Sequence, residues 1–349
     1  MAEELEISVV VPTFNQAHTL RRVLAALAGQ MGPGREVLVV DDGSQDQTEE
    51  FVSALLRKGE LPGRYICQEN KGAAATRNAG LSHARGQVVI FLDGDVIPAP
   101  GLVAAHQQFH REHPCLAHLA LGVVEMAAEL AHTGQVRQHE TRLPFSCQAP
   151  IAIPWHYARG SNFSAKREFL MHACGFDTGM RSAAEDTELA FRLRQRGARL
   201  FFLPQAVAIH YHPMADEASY LRKASGYGAS LARWYGHAPE ARTFITAHYG
   251  LQTPYSSTKA TLRHLLHAAV FNGLTESMWL RLARLAVSHW HRGADLLRRQ
   301  VYKARYRRVF AQCLQANSAG PAASAARQGH GILRVVSCVQ MRSLCRVQS

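Results

Sequence analysis

Short apolar runs alternate with amphipathic stretches through the first hundred residues. Ile7-Ser8-Val9-Val10-Val11, Val37-Leu38-Val39-Val40, Arg64-Tyr65-Ile66-Cys67 and Val88-Val89-Ile90-Phe91-Leu92 are short, mostly branched or aromatic runs. Val88-Val89-Ile90-Phe91-Leu92 has the length and branching of a strand buried on both faces, Ile7-Ser8-Val9-Val10-Val11 reads as a first buried strand, and the other two runs read as the second and third strands. Between the first two, Leu20, Val23, Leu24 and Leu27 recur at helical spacing with Arg21 and Arg22 on the outer face, and residues 48–57 and 73–84 predict two more helices. Pro12, Met31-Gly32-Pro33-Gly34 and Arg85-Gly86 punctuate the elements. Strand and helix taking turns in this way predict a parallel sheet with helices on both faces.

Beyond Pro98 the periods are weaker. Residues 102–111 predict a helix, 119–124 a strand, and the proline-bearing 143–157 a loop. An extended piece over 159–164 leads into a helix over 166–173. Residues 185–193 form a further helix closed by Gly197, with Glu188 and Arg192 as a favourably ordered i,i+4 pair. Residues 200–203 and 207–210 read as two short strands around Pro204. From about residue 218 to 310 helix formers dominate, with Arg and His in excess over acids. Leu282, Leu285, Ala286 and His289 share one helical face, and Arg298, Arg299, Lys303, Arg305, Arg307 and Arg308 make a cationic end. From residue 316 onward Ser, Ala, Gly and Gln follow no period, which predicts a disordered tail. The expected division is an α/β unit over 1–215, a basic helical extension over 216–315 and a tail over 316–349.

Charge narrows the partners. The chain has 349 residues, 47% of them hydrophobic, and a formal net charge of +12. A sequence pI of about 9.7 suits nucleotide, nucleic acid or an anionic bilayer surface. No zinc spacing or aromatic-interleaved module points to specific nucleic-acid binding. Seven scattered cysteines form no close pair, as expected for reduced thiols in a cytosolic compartment. No signal-peptide pattern opens the chain, and no apolar run approaches the roughly 18 residues of a spanning helix. The expectation is a cytoplasmic protein, at most peripheral on the inner face of a membrane.

The chemistry gathers at predicted strand ends: the Pro12-Thr13-Phe14-Asn15 turn, Asp41-Asp42, the segment 70–77, and Asp93-Gly94-Asp95. In an open α/β sheet the carboxyl ends of strands lie side by side over one crevice. Asp93 and Asp95 repel each other unless a cation sits between them. A hard divalent ion, Mg²⁺ or Mn²⁺, takes one or two carboxylates and completes its shell from substrate phosphate, and Gly94 permits close approach. Lys71 and Arg77 beside a nucleotide would meet phosphate or base oxygens. No GxGxxG follows the first strand and no GxxxxGK[ST] occurs, so dinucleotide and P-loop chemistries are disfavoured.

The motifs VVPTFN, VVDDGS, NKGAAATRNAG, FLDGD, and the later GFD followed by EDTELAFRLRQRG together resemble the family 2 glycosyltransferases over roughly residues 7–213. That resemblance implies a GT-A fold: a Rossmann-like, mixed α/β sheet with flanking helices, here followed by a C-terminal helical extension. It implies a nucleotide-diphospho-sugar donor, usually a UDP-sugar, and a saccharide, lipid-linked or other hydroxyl acceptor. Asp95 would bind the metal, Asp93 the ribose or the metal shell, and Asp42 the uracil, with Pro12, Thr13 and Phe14 around the base. Glu185-Asp186 matches the family's acidic pair, Asp186 resembling the general base of inverting members. His210, which with His212 brackets Tyr211, is the better match to a histidine that some members add to the metal shell. Gly160-Ser161-Asn162 and Trp155 look like the sugar-side loop. Gln16 departs from the pattern, standing where many members carry Glu. A sugar-phosphate nucleotidyltransferase would need a GGxGTR-like loop after the first strand, which VVPTFNQ is not. A catalytically silent nucleotide- or carbohydrate-binding protein would lack one of Asp42, Asp93, Asp95 or Asp186, and all are present.

Overall fold

The computed structural model describes residues 5–130, 147–181, 183–211, 217–251, 266–286 and 291–318. Strands β1 (Ile7–Thr13), β2 (Arg35–Asp41), β3 (Gly63–Cys67) and β4 (Val88–Leu92) lie parallel. Helices α1 (Ala17–Ala28), α2 (Thr48–Arg57) and α3 (Ala73–His83) connect them. Side chains on a strand alternate between faces, and the core divides accordingly. Val9, Val11, Val37 and Val39 pack with Leu20, Leu24 and Val52 of α1 and α2. Val10, Leu38, Val40 and Phe91 pack on the opposite side with Ala74 and Leu81 of α3.

The second half turns the sheet mixed. The added strands are β5 (Val96–Pro98), β6 (His118–Met126), β7 (Ile151–Ile153), β8 (Asn162–Lys166) and β9 (Arg199–His210). Among the described residues the sheet has nine strands in the order β3-β2-β1-β4-β8-β6-β9-β5, with β7 also paired to β9. β8 runs antiparallel to both β4 and β6, and β9 borders β5, β6 and β7. Helix α4 (Leu102–Glu112) covers the face of α1, while α5 (Arg167–His172) and α6 (Glu185–Gln195) cover that of α3.

Three sequence expectations are corrected here. Residues 200–203 and 207–210 are one strand, β9, because a bulge takes up Pro204. The register against β6 slips between Gly122 and Val123, so Gly122 faces Leu203 and Val123 faces Val207. Proline has no N–H for the ladder, and the buried Asn162 amide donates instead to Val123 O and Ala206 O. The expected loop 143–157 contains β7 and a 3₁₀ turn over Trp155–Tyr157, its residues 143–146 lying outside the described ones. Residues 316–318, expected to open the tail, are helical, the helix ending at Ser318; the rest of that expectation, 319–349, lies outside the described residues.

Past β9 the described chain is helical: α7 (Glu217–His237), α8 (Arg242–His248), α9 (Glu276–Ala286) and α10 (His291–Ser318). Its core is shared with the α/β unit, since Met180, Ala184 and Phe191 pack with Leu231, Trp234, Ile245 and Phe310. Gly228 lets α7 and α10 touch. A Cβ there would stand 2.3 Å from Tyr306 O and 3.0 Å from Val309 Cβ.

Candidate functional site

The carboxyl ends of β1, β2 and β4 open on a cleft of about 440 Å³. Pro12, Thr13 and Phe14 form one wall, Asp42, Gly72, Thr76 and Arg77 another, and Asp93, Gly94 and Asp95 lie between. Thr13 Oγ1 is buried without a hydrogen-bond partner. A buried hydroxyl in that state carries a cost that a bound polar group would remove. Phe14 is exposed where it lines the cleft. The loops after β1 and β2 are laced together: Asn15 N–H donates to Ser44 Oγ at 2.8 Å, and Gln45 N–H to Asn15 Oδ1 at 2.7 Å.

Asp42 is 4% exposed and organises the approach to α3. Its carboxylate accepts the backbone N–H groups of Lys71 and Gly72, each at 2.8 Å, and the Gln68 amide at 2.7 Å. The segment 70–72 is thereby held at the N-terminus of α3, in the position that favours anions. Lys71 contributes its backbone; its side chain is exposed and outside the cleft lining.

Arg77 ties the two halves of the site together. Its Nη2 meets Asp93 Oδ1 at 2.7 Å and its Nη1 meets Glu185 Oε1 at 2.8 Å. Burial opposes its charge, but Asp93 and Glu185 outweigh burial and raise its pKa, so the fork is a fixed cation. Burial is also what raises Glu185; Arg77 opposes the rise and neighbouring Asp186 adds to it. Burial likewise raises Asp93 against the pull of Arg77, with Asp95 repelling alongside. Gly160 lies flat on the guanidinium, where a Cβ would stand 3.0 Å from both Cζ and Nε of Arg77. Gly160 N–H in turn donates to Asp186 Oδ2 at 3.2 Å, and Thr187 N–H donates to Asp186 Oδ1 at 2.7 Å. Asp186, in the first turn of α6, is thus oriented from two sides.

Asp95 is 7% exposed, with His210 Nε2 at 3.4 Å and the Gln16 amide at 3.4 Å from its Oδ2. Burial lowers the His210 pKa, but the Asp95 carboxylate reverses this and the net direction is up. Among the described residues no three His, Cys, Asp or Glu side chains converge as a complete metal cage. The donor set nevertheless fits a hard divalent ion, which needs only one or two protein carboxylates when substrate phosphates supply the rest. The crowding of Asp93 against Asp95 is what such an ion would relieve.

Several residues read from the sequence stand elsewhere. Asn162 is fully buried, its side chain committed to His106 Nε2 at 2.9 Å and to two carbonyls of the β6–β9 bulge. It belongs to the sheet and is absent from the cleft lining. Trp155 packs against Phe244 with ring centroids 4.4 Å apart. His212 lies outside the described residues. Conversely, Asn70 and Arg181 line the cleft without having been singled out. Asn70 sits inside a segment already marked, but Arg181 follows the GFD motif by chain proximity alone, which leaves no spacing to read.

The profile of the family described as Glycosyl transferase family 2 matches residues 8–172. A curated relative, the Pre-mycofactocin glycosyltransferase of Mycobacterium tuberculosis, is 30% identical over 232 residues, covering 65% of this chain and 47% of that protein. The Chondroitin synthase of Escherichia coli is 27% identical over 244 residues, covering 60% and 35%. The chain therefore spans about half the length of the first relative and about a third of the second. Among solved structures, the mannosyltransferase PcManGT of Pyrobaculum calidifontis, in complex with GDP-Man and Mn²⁺, superposes with a TM-score of 0.58 at 21% identity, covering 88% of each chain. TarS residues 1–349 of S. aureus, in complex with UDP-GlcNAc, gives a TM-score of 0.52 at 17% identity, covering 89% of this chain and 92% of that one. Those two likenesses concern the fold.

Proposed function

We infer from one premise, that this chain is a family 2 glycosyltransferase of the GT-A fold through residues 8–172, that it moves a sugar from a nucleotide-diphospho-sugar to an acceptor hydroxyl with inversion. The donor class is supported by the two solved neighbours, whose complexes hold GDP-Man and UDP-GlcNAc. The choice of a UDP-sugar rests on Asp42, buried in the cleft wall beside Thr13 and Phe14, as acceptor for the imide N–H of uracil. The acceptor class is a saccharide or lipid-linked hydroxyl.

Asp95, Asp93 and His210 would hold Mg²⁺ or Mn²⁺; one solved neighbour carries Mn²⁺. Bound there, such an ion offsets the charge that builds on a departing diphosphate. This chain's own residues supply the remaining work. Asp186 takes the acceptor proton as the hydroxyl attacks the anomeric carbon, because a sugar hydroxyl is a poor nucleophile until its proton leaves. Gly160 and Thr187 N–H groups aim that carboxylate. Arg77, gripping Asp93 on the donor side and Glu185 on the acceptor side, keeps both halves in one geometry, and this bridge is the observation that carries the reading. Such orientation is a large part of enzymatic acceleration.

Two measurements test it. Purified protein with Mn²⁺ is expected to hydrolyse at least one UDP-sugar slowly and to bind UDP by calorimetry; failure with every donor together with no UDP binding defeats the proposal. Asp186→Asn is expected to keep donor affinity and lose transfer by about 100-fold or more. Transfer at the unmodified rate would remove Asp186 from the role of base.

A further inference from the structure

We propose that the outer face of α9, with the turn before it, is a docking surface for an anionic lipid bilayer. The exposed apolar surface is concentrated there. Of the eleven large hydrophobic side chains left exposed among the described residues, four lie on α9 and the turn before it, Leu274, Met278, Leu282 and Leu285. Leu274 is 95% exposed and Leu285 75%. Leu274, Met278, Leu282 and Leu285 are spaced four, four and three apart, so they line one side of a helical path. The other side is spent inside the molecule: Leu280 and Ala283 are buried, and buried Glu276 is held by Arg305 and Arg308.

An apolar stripe alone would suit several occupants; its electrical setting selects one. Residues 241–349 hold sixteen Lys and Arg against two acids, Glu276 and Asp295. Glu276 is the acid within α9, and its charge is already matched from α10. Arg281 and Arg284 stand exposed on α9 beside the stripe. Stripe-to-stripe pairing of two copies would bring these arginines toward one another, which is unfavourable. An anionic bilayer accepts both features, apolar side chains at the acyl boundary and arginines among the phosphates. No helix among the described residues is long and apolar enough to cross a membrane, so the contact is one of lying on the surface. The inference is independent of the donor and base assignments, and its failure would leave them untouched.

The experiment is flotation of the full chain with phosphatidylcholine vesicles, with and without phosphatidylglycerol. Binding is expected to require phosphatidylglycerol and to weaken as salt is added. Leu274→Ser with Leu285→Ser is expected to lower the partition coefficient by about tenfold or more. Arg281→Gln and Arg284→Gln are each expected to lower it by about fivefold, near 1 kcal/mol per charge. Leu274, Leu285 and Arg281 are exposed, so melting temperature and nucleotide-sugar hydrolysis in solution should hold steady in the double-serine and Arg281→Gln variants. Absence of binding, equal binding to phosphatidylcholine alone, or undiminished binding by the double-serine variant overturns the proposal. So does a concentration-dependent dimer by sedimentation that the double-serine variant abolishes, which would assign the stripe to a second copy.

Discussion

By its place in the sequence Arg77 is a group for phosphate or base oxygens, yet its fork already grips Asp93 and Glu185. Nothing in the spacing of residues 77, 93 and 185 could have announced that bridge, because it depends on α3 and α6 covering the same face of the sheet. Gly160 is its seat. Gly160→Ala would place a methyl 3.0 Å from the guanidinium, in a buried site where Arg77 has little room to yield. Transfer is expected to fall by about tenfold or more, with melting little changed, since a small displacement of positioned groups is costly to rate. Full activity in the alanine variant would refute the seat. A second residue-scale consequence concerns His106, fully buried between Ser164 and Asn162. Burial is the main cause of its pKa falling to about 4, against about 6.5 in the unfolded chain. Between those values unfolding takes up a proton, so stability is lost as pH falls from about 6.5 toward 4. From pH 7 to pH 5 the loss from this side chain is about 2 kcal/mol. Urea denaturation at the two pH values should show that loss in the parent protein and a correspondingly smaller one in His106→Gln; identical pH slopes would count against it.

At the scale of elements, legibility followed length and burial. β1, β2 and β4 were readable because each is a branched apolar run buried on both faces. β5 and β7, three residues each, are too short to carry a period. β9 was read as two strands because Pro204 interrupts its pattern, and the bulge that reunites it depends on Asn162, far away in sequence. The sequence reads Asn162 as a sugar-side residue for the same reason: adjacent glycine and serine resemble a loop motif, while the carbonyls that claim its amide lie beyond any local signal. The helices past residue 217 were legible as helices, but their contact was not. Gly228 offers a direct check. Alanine normally stabilises a helix by about 1 kcal/mol relative to glycine, but here its Cβ would meet Tyr306 O at 2.3 Å. Overpacking of this kind costs about 1–3 kcal/mol, so Gly228→Ala should lower the unfolding midpoint. A higher midpoint would mean that α7 and α10 are not so tightly joined.

For the molecule as a whole, the cleft was the most readable part, since Pro12, Thr13, Phe14, Asp42, Arg77, Asp93, Gly94 and Asp95 all line it. These residues sit at strand ends, and strand ends in an open sheet must converge. The connection from the cleft to Asp186, and the sharing of a core between α6 and the later helices, are tertiary facts without a periodic trace. β9 matters here in another way. Among the described residues it is the last strand in chain order, and β5, β6 and β7 all hydrogen-bond to it, Pro98 facing Ala208. On a ribosome, β1 to β4 can pair as they emerge, whereas β5 must wait for residue 208 before it has a neighbour. With synthesis at about 5–20 residues per second, nascent chains spend seconds with that half of the sheet unfinished. A chain cut short before His210 would therefore leave open edges able to recruit one another, so truncated products of this gene should accumulate as aggregates while the full-length chain does not.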